Sequence, residues 1–124
     1  MNMKILIVDD NPQMRQMIRA VVIDLAEEVS ECANGQEAVA VYTAQQLTGD
    51  DRVLMDLQMP GGGGLEATRR IRATFPEAQI IIVTQYDDQH WRAAATKAGA
   101  CGYLLKENLL ELRQILKKPL PVTS

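Results

Sequence analysis

The chain has 124 residues, 47% of them hydrophobic, which suits one compact domain and is too short for two ordinary ones. Its 13 basic and 16 acidic residues are spread along the sequence to a net charge of -3, so no strong field favours nucleic acid or an anionic membrane. Two distant cysteines, Cys32 and Cys101, exclude a disulfide framework and a zinc site, and no apolar run reaches signal-peptide or membrane-spanning length, so reduced thiols and a cytoplasmic location are expected.

Short apolar runs alternate with segments of helical period, five pairs in all, the pattern of βα units around a parallel sheet. Lys4 to Val8 reads as a buried first strand, and Asn11 as the N-cap of a first helix with Pro12 at its first position. Met14, Met17, Ile18, Val21, Val22 and Leu25 then recur at helical spacing and predict one face packed on the sheet. Val29 to Ala33 is a weaker second strand suited to an edge. Asn34-Gly35 turns into a helix carrying Ala38, Val41 and Tyr42, and the loop Leu47 to Asp51 leads to a third strand ending near Asp56.

After a run of glycines, Leu65, Thr68, Ile71 and Phe75 mark a third helix that Pro76 stops. Gln79 to Thr84 is apolar through its middle, as a central strand buried on both faces requires. Asp87 or Asp88 caps a fourth helix with Trp91, Ala94, Ala95 and Ala98, ended by Gly99. Cys101 to Leu105 is the fifth strand, and Leu109, Leu112, Ile115 and Leu116 stripe the last helix before Pro119 and Pro121.

In an open parallel sheet, ligands bind beyond the carboxyl ends of the strands, near the point where strand order reverses. The polar residues at those ends are Asp9 and Asp10, Asp56, Thr84 and Lys106. Carboxylates gathered there repel one another, by roughly 4 kcal/mol per pair at a separation of about 4 Å and an effective dielectric near 20. Such a cluster calls for a cation, and oxygen ligands with room for water suit magnesium. With Lys106 and the Thr84 hydroxyl nearby to meet an arriving anion, the set reads as a phosphoryl-transfer site with Asp56 as nucleophile.

The segments "ILIVDDNP", "VLMDLQMPGGGGLEATRRIR", "IIIVTQYDD" and "AGACGYLLKEN" together resemble the signature of the receiver (CheY-like) domain of bacterial two-component response regulators, over nearly the whole chain. Tyr86-Asp87-Asp88 and Cys101 to Lys106 are most similar to the NarL/FixJ (LuxR-type) subclass, whose members usually carry a C-terminal helix-turn-helix. The resemblance implies a flavodoxin-like three-layer (βα)5 sandwich with strand order 2-1-3-4-5, a receiver over residues 1–118, and a tail or start of a linker over 119–124. It implies that Asp56 accepts a phosphoryl group from a sensor histidine kinase or phosphotransfer protein. Mg2+ (or Mn2+) would be held by Asp10, Asp56 and the Gln58 backbone carbonyl, with Asp9 assisting directly or through water. Lys106 would contact the phosphoryl oxygens, and Thr84 would move toward them and draw Tyr103 between inward and outward rotamers. The implied partners are an output domain or effector protein and a phosphorylation-dependent homodimer, with no membrane and no direct nucleic-acid binding by this chain. On this reading the chain is no metabolic enzyme, but a signalling domain that promotes its own aspartyl phosphorylation and dephosphorylation.

Departures from the family pattern are equally specific. Gly61 to Gly64 follow Met59-Pro60 where Met-Pro-Gly-Met-Asp-Gly is common, so the usual acidic residue falls on Gly63 and the loop loses a cap and gains freedom. Gln85 is bulkier than the small residue preferred after Thr84, Glu107 replaces a frequent proline after Lys106, and Arg52 stands where an apolar residue usually begins the third strand. Gln58 and Tyr86 flank the expected water path to Asp56. The glycine run lacks the Gly-Lys-Ser/Thr ending of a nucleotide loop, and His90 reads as a surface residue. Alternative readings are a phosphorylation-independent interaction module on the same fold, the N-terminal regulatory domain of a helix-turn-helix transcription factor, and a magnesium-dependent aspartyl phosphatase.

Overall fold

Each apolar run becomes a strand and each periodic segment a helix. In a computed structural model that describes residues 3–59 and 63–117, the strands are β1 (Lys4–Val8), β2 (Glu28–Cys32), β3 (Arg52–Met55), β4 (Ile80–Thr84) and β5 (Gly102–Leu105). The helices are α1 (Pro12–Val22), α2 (Gly35–Ala44), α3 (Gly64–Thr74), α4 (Gln89–Ala98) and α5 (Glu111–Lys117). All strand pairs are parallel, in the expected order β2-β1-β3-β4-β5.

The unbroken apolar runs follow from burial on both faces, because successive side chains of a strand point to opposite sides. Ile5, Ile7, Leu54, Ile81 and Val83 pack with Ile18 and Val22 of α1 and with Leu112 and Leu116 of α5. Leu6, Val8, Val53, Met55, Ile80 and Ile82 pack on the other side with Ala38 and Tyr42 of α2, Ala67 and Ile71 of α3, and Ala95 of α4. The result is three layers with β1, β3 and β4 at the centre.

Local sequence sets the helix starts. The Asn11 side chain accepts hydrogen bonds from the backbone N–H groups of Gln13 and Met14 at 2.9 and 3.1 Å, and Asn34 does the same for Glu37 at 2.9 Å. Asp88, not Asp87, caps α4 through the Trp91 N–H, while Asp87 pairs with Arg92. Gly99 closes α4 at a φ of 111°, a left-handed conformation open to glycine at little cost.

Several boundaries depart from the sequence reading. β2 lies one residue earlier than expected, and β4 and β5 each start one residue later. The stripe on α1 is narrower than its spacing implies, since Met17 is 54% exposed and Leu25 falls in a separate 3-10 turn over Ile23–Leu25. Leu109 is buried ahead of α5, after a second 3-10 turn at Lys106–Asn108. Arg52 begins β3 half-buried, and its guanidinium donates to the carbonyls of Gly49 and Asp51 at 3.2 and 2.9 Å. The peptide bond after Lys106 is trans. No described helix is long and apolar enough to cross a membrane.

Gly61 and Gly62 lie outside the described residues, whereas the last two glycines of the run have defined places. Gly63 is the N-cap of α3 and, having no side chain, offers it no capping hydrogen bond. Gly64 opens the helix against the end of β3: its N–H donates to the Leu57 carbonyl at 2.9 Å, and a Cβ there would lie 1.9 Å from the Asp56 carbonyl oxygen. That part of the run is a close-packed turn rather than a loosened one. Gly64→Ala is expected to cost ~3 kcal/mol, at the upper end for overpacking because the obstacle is backbone, as read from the midpoint of urea unfolding.

Candidate functional site

Strand register builds the site. Val8 pairs with Met55, and the Asp56 N–H continues the ladder by donating to the Val8 carbonyl at 2.9 Å, so Asp9 and Asp56 emerge side by side where β1 and β3 end. Because β2 lies on one side of β1 and β3 on the other, this is the crevice where strand order reverses. One carboxylate oxygen each of Asp9, Asp10 and Asp56 fall within 4.8 Å of one another, with Asp9 and Asp56 buried and Asp10 exposed.

Asp9 is held from four sides. Its N–H donates to the Cys32 carbonyl at 3.1 Å, and its own carbonyl accepts from the Arg15 guanidinium at 2.7 Å. Its Oδ1 accepts from the Asn11 N–H at 2.9 Å, and its Oδ2 lies 3.0 Å from Lys106 Nζ. The last contact is an ion pair without hydrogen-bond alignment, so Oδ2 has no directed donor among the described residues although it is fully buried. Lys106, beyond the end of β5, reaches across β4 and also sits 3.3 Å from Asp56 Oδ1.

One ammonium thus contacts two of the three carboxylates. Burial pushes the Asp56 carboxyl up to about 6, and repulsion from Asp9 adds to it, against the opposing pull of Lys106. Burial alone would lower Lys106, but Asp9 and Asp56 outweigh it and raise its pKa above the ordinary value. The donor set fits a hard divalent cation. Ligand oxygens about 2.0–2.1 Å from Mg2+ lie about 3–4 Å apart, the three carboxylates each bring an oxygen within 4.8 Å of the others, and the buried Asp9 Oδ2 has the Lys106 ion pair but no aligned hydrogen bond among the described residues.

Thr84 is fully buried at the end of β4, where its hydroxyl accepts from the Tyr86 N–H at 3.2 Å. Tyr103, in β5, donates its hydroxyl to the Tyr86 carbonyl, and the Arg92 guanidinium covers its ring at 4.6 Å. Tyr86 packs its ring near Trp91, with centroids 6.0 Å apart, and its phenol donates to the exposed Gln58 side chain at 3.2 Å. The two expected switch residues therefore meet on one backbone unit. Gln85 and His90 are exposed. Cys32 and Cys101 are free thiols; burial pushes Cys32 up to about 11 and Cys101 above its usual value, so neither is a ready nucleophile.

Two features of the site escape a reading of motifs. Arg15 carries no signature beyond being a basic residue one turn into the helix after the acidic pair. The hydrogen bond from Tyr86 to Gln58 joins residues 28 apart; the sequence reading places both beside the water path to Asp56 but not in contact.

Comparison with known proteins adds sequence and structural relatives. The family description for the response regulator receiver domain matches residues 5–117. The transcriptional regulatory protein YhcZ of Bacillus subtilis is 40% identical over 119 residues, covering 91% of this chain and 54% of that protein. Response regulator UvrY of Escherichia coli is 39% identical over 104 residues, covering 82% of this chain and 46% of the relative, so the chain spans about half the length of these relatives. A crystal structure of a LuxR-family two-component response regulator from Aurantimonas superposes with a TM-score of 0.83 at 35% identity, covering 92% of this chain and 81% of the other.

The raised Asp56 pKa has a stability consequence. Since the folded carboxyl titrates near 6 and the unfolded one near its ordinary value of 3.8, the charge of Asp56 opposes folding increasingly as pH rises through that interval. In metal-free buffer, Asp56→Asn is expected to be more stable than the parent at pH 7, by on the order of 1 kcal/mol because solvent beside Asp10 weakens the penalty. The difference should shrink toward pH 4, as followed by thermal unfolding across the pH series.

Proposed function

The chain belongs to the response regulator receiver domain family of two-component signalling, and from that premise we propose that Asp56 accepts a phosphoryl group from a histidine kinase or phosphotransfer protein. The observation that carries this reading is the acidic trio with Lys106 Nζ set between Asp9 and Asp56, which leaves a nucleophilic carboxylate beside a fixed cation. An Asp56 carboxylate oxygen attacks phosphorus, the bond from phosphorus to the donor imidazole nitrogen breaks, and the electron pair leaves with the imidazole. Lys106 then meets the transferred phosphoryl oxygens in place of a free carboxylate. Hydrolysis by water later returns inorganic phosphate and the carboxylate, so the domain promotes both its own phosphorylation and dephosphorylation.

Receiver domains generally bind Mg2+ at an acidic pocket, and here Asp10, Asp56 and the Gln58 backbone carbonyl would hold it, with Asp9 as a direct or water-mediated ligand. When bound, Mg2+ (or Mn2+) supplies positive charge to the phosphoryl oxygens and relieves repulsion among the carboxylates.

The output follows from the contacts at Tyr86. A phosphoryl group on Asp56 would accept the Thr84 O–H, and moving Thr84 toward it would draw its oxygen away from the Tyr86 N–H that now donates to it. Loss of that bond frees the Tyr86 segment, whose carbonyl accepts from Tyr103, and biases Tyr103 between inward and outward positions. The face bearing Arg92 and Tyr103 would then change for a partner, an output domain or a second copy of the chain. We place the receiver at residues 1–118 with a tail or linker beyond, in the cytoplasm, and read DNA binding as a property of an output domain rather than of these residues.

Incubation with Mg2+ and acetyl phosphate is expected to add one phosphoryl group to the intact chain, as seen by mass spectrometry, and EDTA should abolish it. Asp56→Asn should acquire none. An adduct that survives this substitution, or no adduct on the parent, would sink the proposal.

A further inference from the structure

Among the described residues, Arg15 is the one basic side chain tied both to the backbone that carries the acidic pair and to a neighbouring strand. Its Nη1 donates to the Asp9 carbonyl at 2.7 Å, while its Nε pairs with Glu31 of β2 at 3.1 Å. Glu31 is itself held by Arg19 at 3.2 Å, and the Arg15 side chain is only 19% exposed. The carbonyl that Arg15 grips belongs to the peptide joining Asp9 to Asp10, so fixing its plane fixes where the Asp10 backbone leaves β1. Asp10 otherwise stands exposed at the rim, whereas Asp9 has its own contacts through Oδ1 and Oδ2.

We infer that Arg15, anchored by Glu31, is a positioning residue that presents Asp10 to a divalent cation by clamping the Asp9 to Asp10 peptide. The inference rests on the reading of the acidic trio as a Mg2+ site. The sign of the effect separates it from simple electrostatics. A guanidinium beside a cation site repels the cation, so a purely Coulombic role means that removing it tightens Mg2+ binding. A positioning role means that removing it weakens binding, as losses behind a ligand shell do.

Mg2+ affinity of the full chain, measured by isothermal titration calorimetry, tests this. Arg15→Met is expected to weaken affinity roughly tenfold, while saturating Mg2+ restores the parent yield of acetyl phosphate adduct. Arg15→Lys, which can hold the Asp9 carbonyl but cannot also engage Glu31 through a second nitrogen, should recover part of the loss. Arg15→Gln, which also removes the positive charge, supplies a test of the same sign if Arg15→Met fails to fold. Unchanged or tighter binding in a folded Arg15→Met, or in Arg15→Gln where that variant alone folds, would overturn the inference and leave the Mg2+ reading intact. A parent chain that binds no Mg2+ would overturn both.

Discussion

The contact of Lys106 with Asp9 and Asp56 is the interaction on which the rest of the site depends. Parallel register forces the two carboxylates together at the ends of β1 and β3, and the fold has no means of separating them without breaking the ladder bond from Asp56 to Val8. The repulsion is accommodated rather than removed: one ammonium contacts two of the three acids, and the Asp56 carboxyl is left with a pKa raised to about 6. A cluster in that condition gains from any added positive charge, which is a physical basis for binding a divalent cation. On the proposed function, an acyl phosphate on Asp56 would add negative charge to this cluster, which makes Lys106 and a bound divalent cation the groups that would have to balance it.

Tyr86 converts that local balance into a wider one. Its N–H holds Thr84, its carbonyl holds Tyr103, and its side chain spans Trp91 and Gln58. A change at the Thr84 hydroxyl is therefore a change in the tether of Tyr103, with no long chain of intermediates between them. Thr84 and Tyr103 both bond to the backbone of Tyr86, and Tyr103 borders, with Arg92 and α5, a surface groove of about 690 Å³.

Much of this was legible in the sequence because it is set by local chemistry and by topology. Apolar runs bounded by Asn11-Pro12, Asn34-Gly35 and Asp88 gave strands and capped helices, and parallel order put Asp9, Asp56, Thr84 and Lys106 at one end of the sheet. What escaped depends on contacts between distant segments. Met17 matches the period of α1 yet faces solvent, since periodicity assigns a stripe but not its width. The grip of Arg15 on the Asp9 carbonyl and of Tyr86 on Gln58 exists only once loops are packed against each other. The glycines mislead for the same reason: flexibility is a property of the residue, whereas Gly64 is set by how closely α3 approaches the Asp56 peptide.

That approach explains how a strained charge cluster can sit on an ordered scaffold. The Asp56 backbone is pinned by the Val8 carbonyl on one side and by the packing of Gly64 on the other, and the Asp9 backbone is pinned by Cys32 and Arg15. The acids therefore cannot relieve their repulsion by moving their main chains. What remains adjustable is the set of hydroxyls, the Thr84, Tyr86 and Tyr103 groups, each held by a single hydrogen bond. On the proposed function, a change of charge at Asp56 would be taken up in these side-chain contacts rather than in the sheet. On that reading, a fixed charge site joined to singly tethered side chains would let phosphorylation shift a population of surface states without unfolding the domain that carries it.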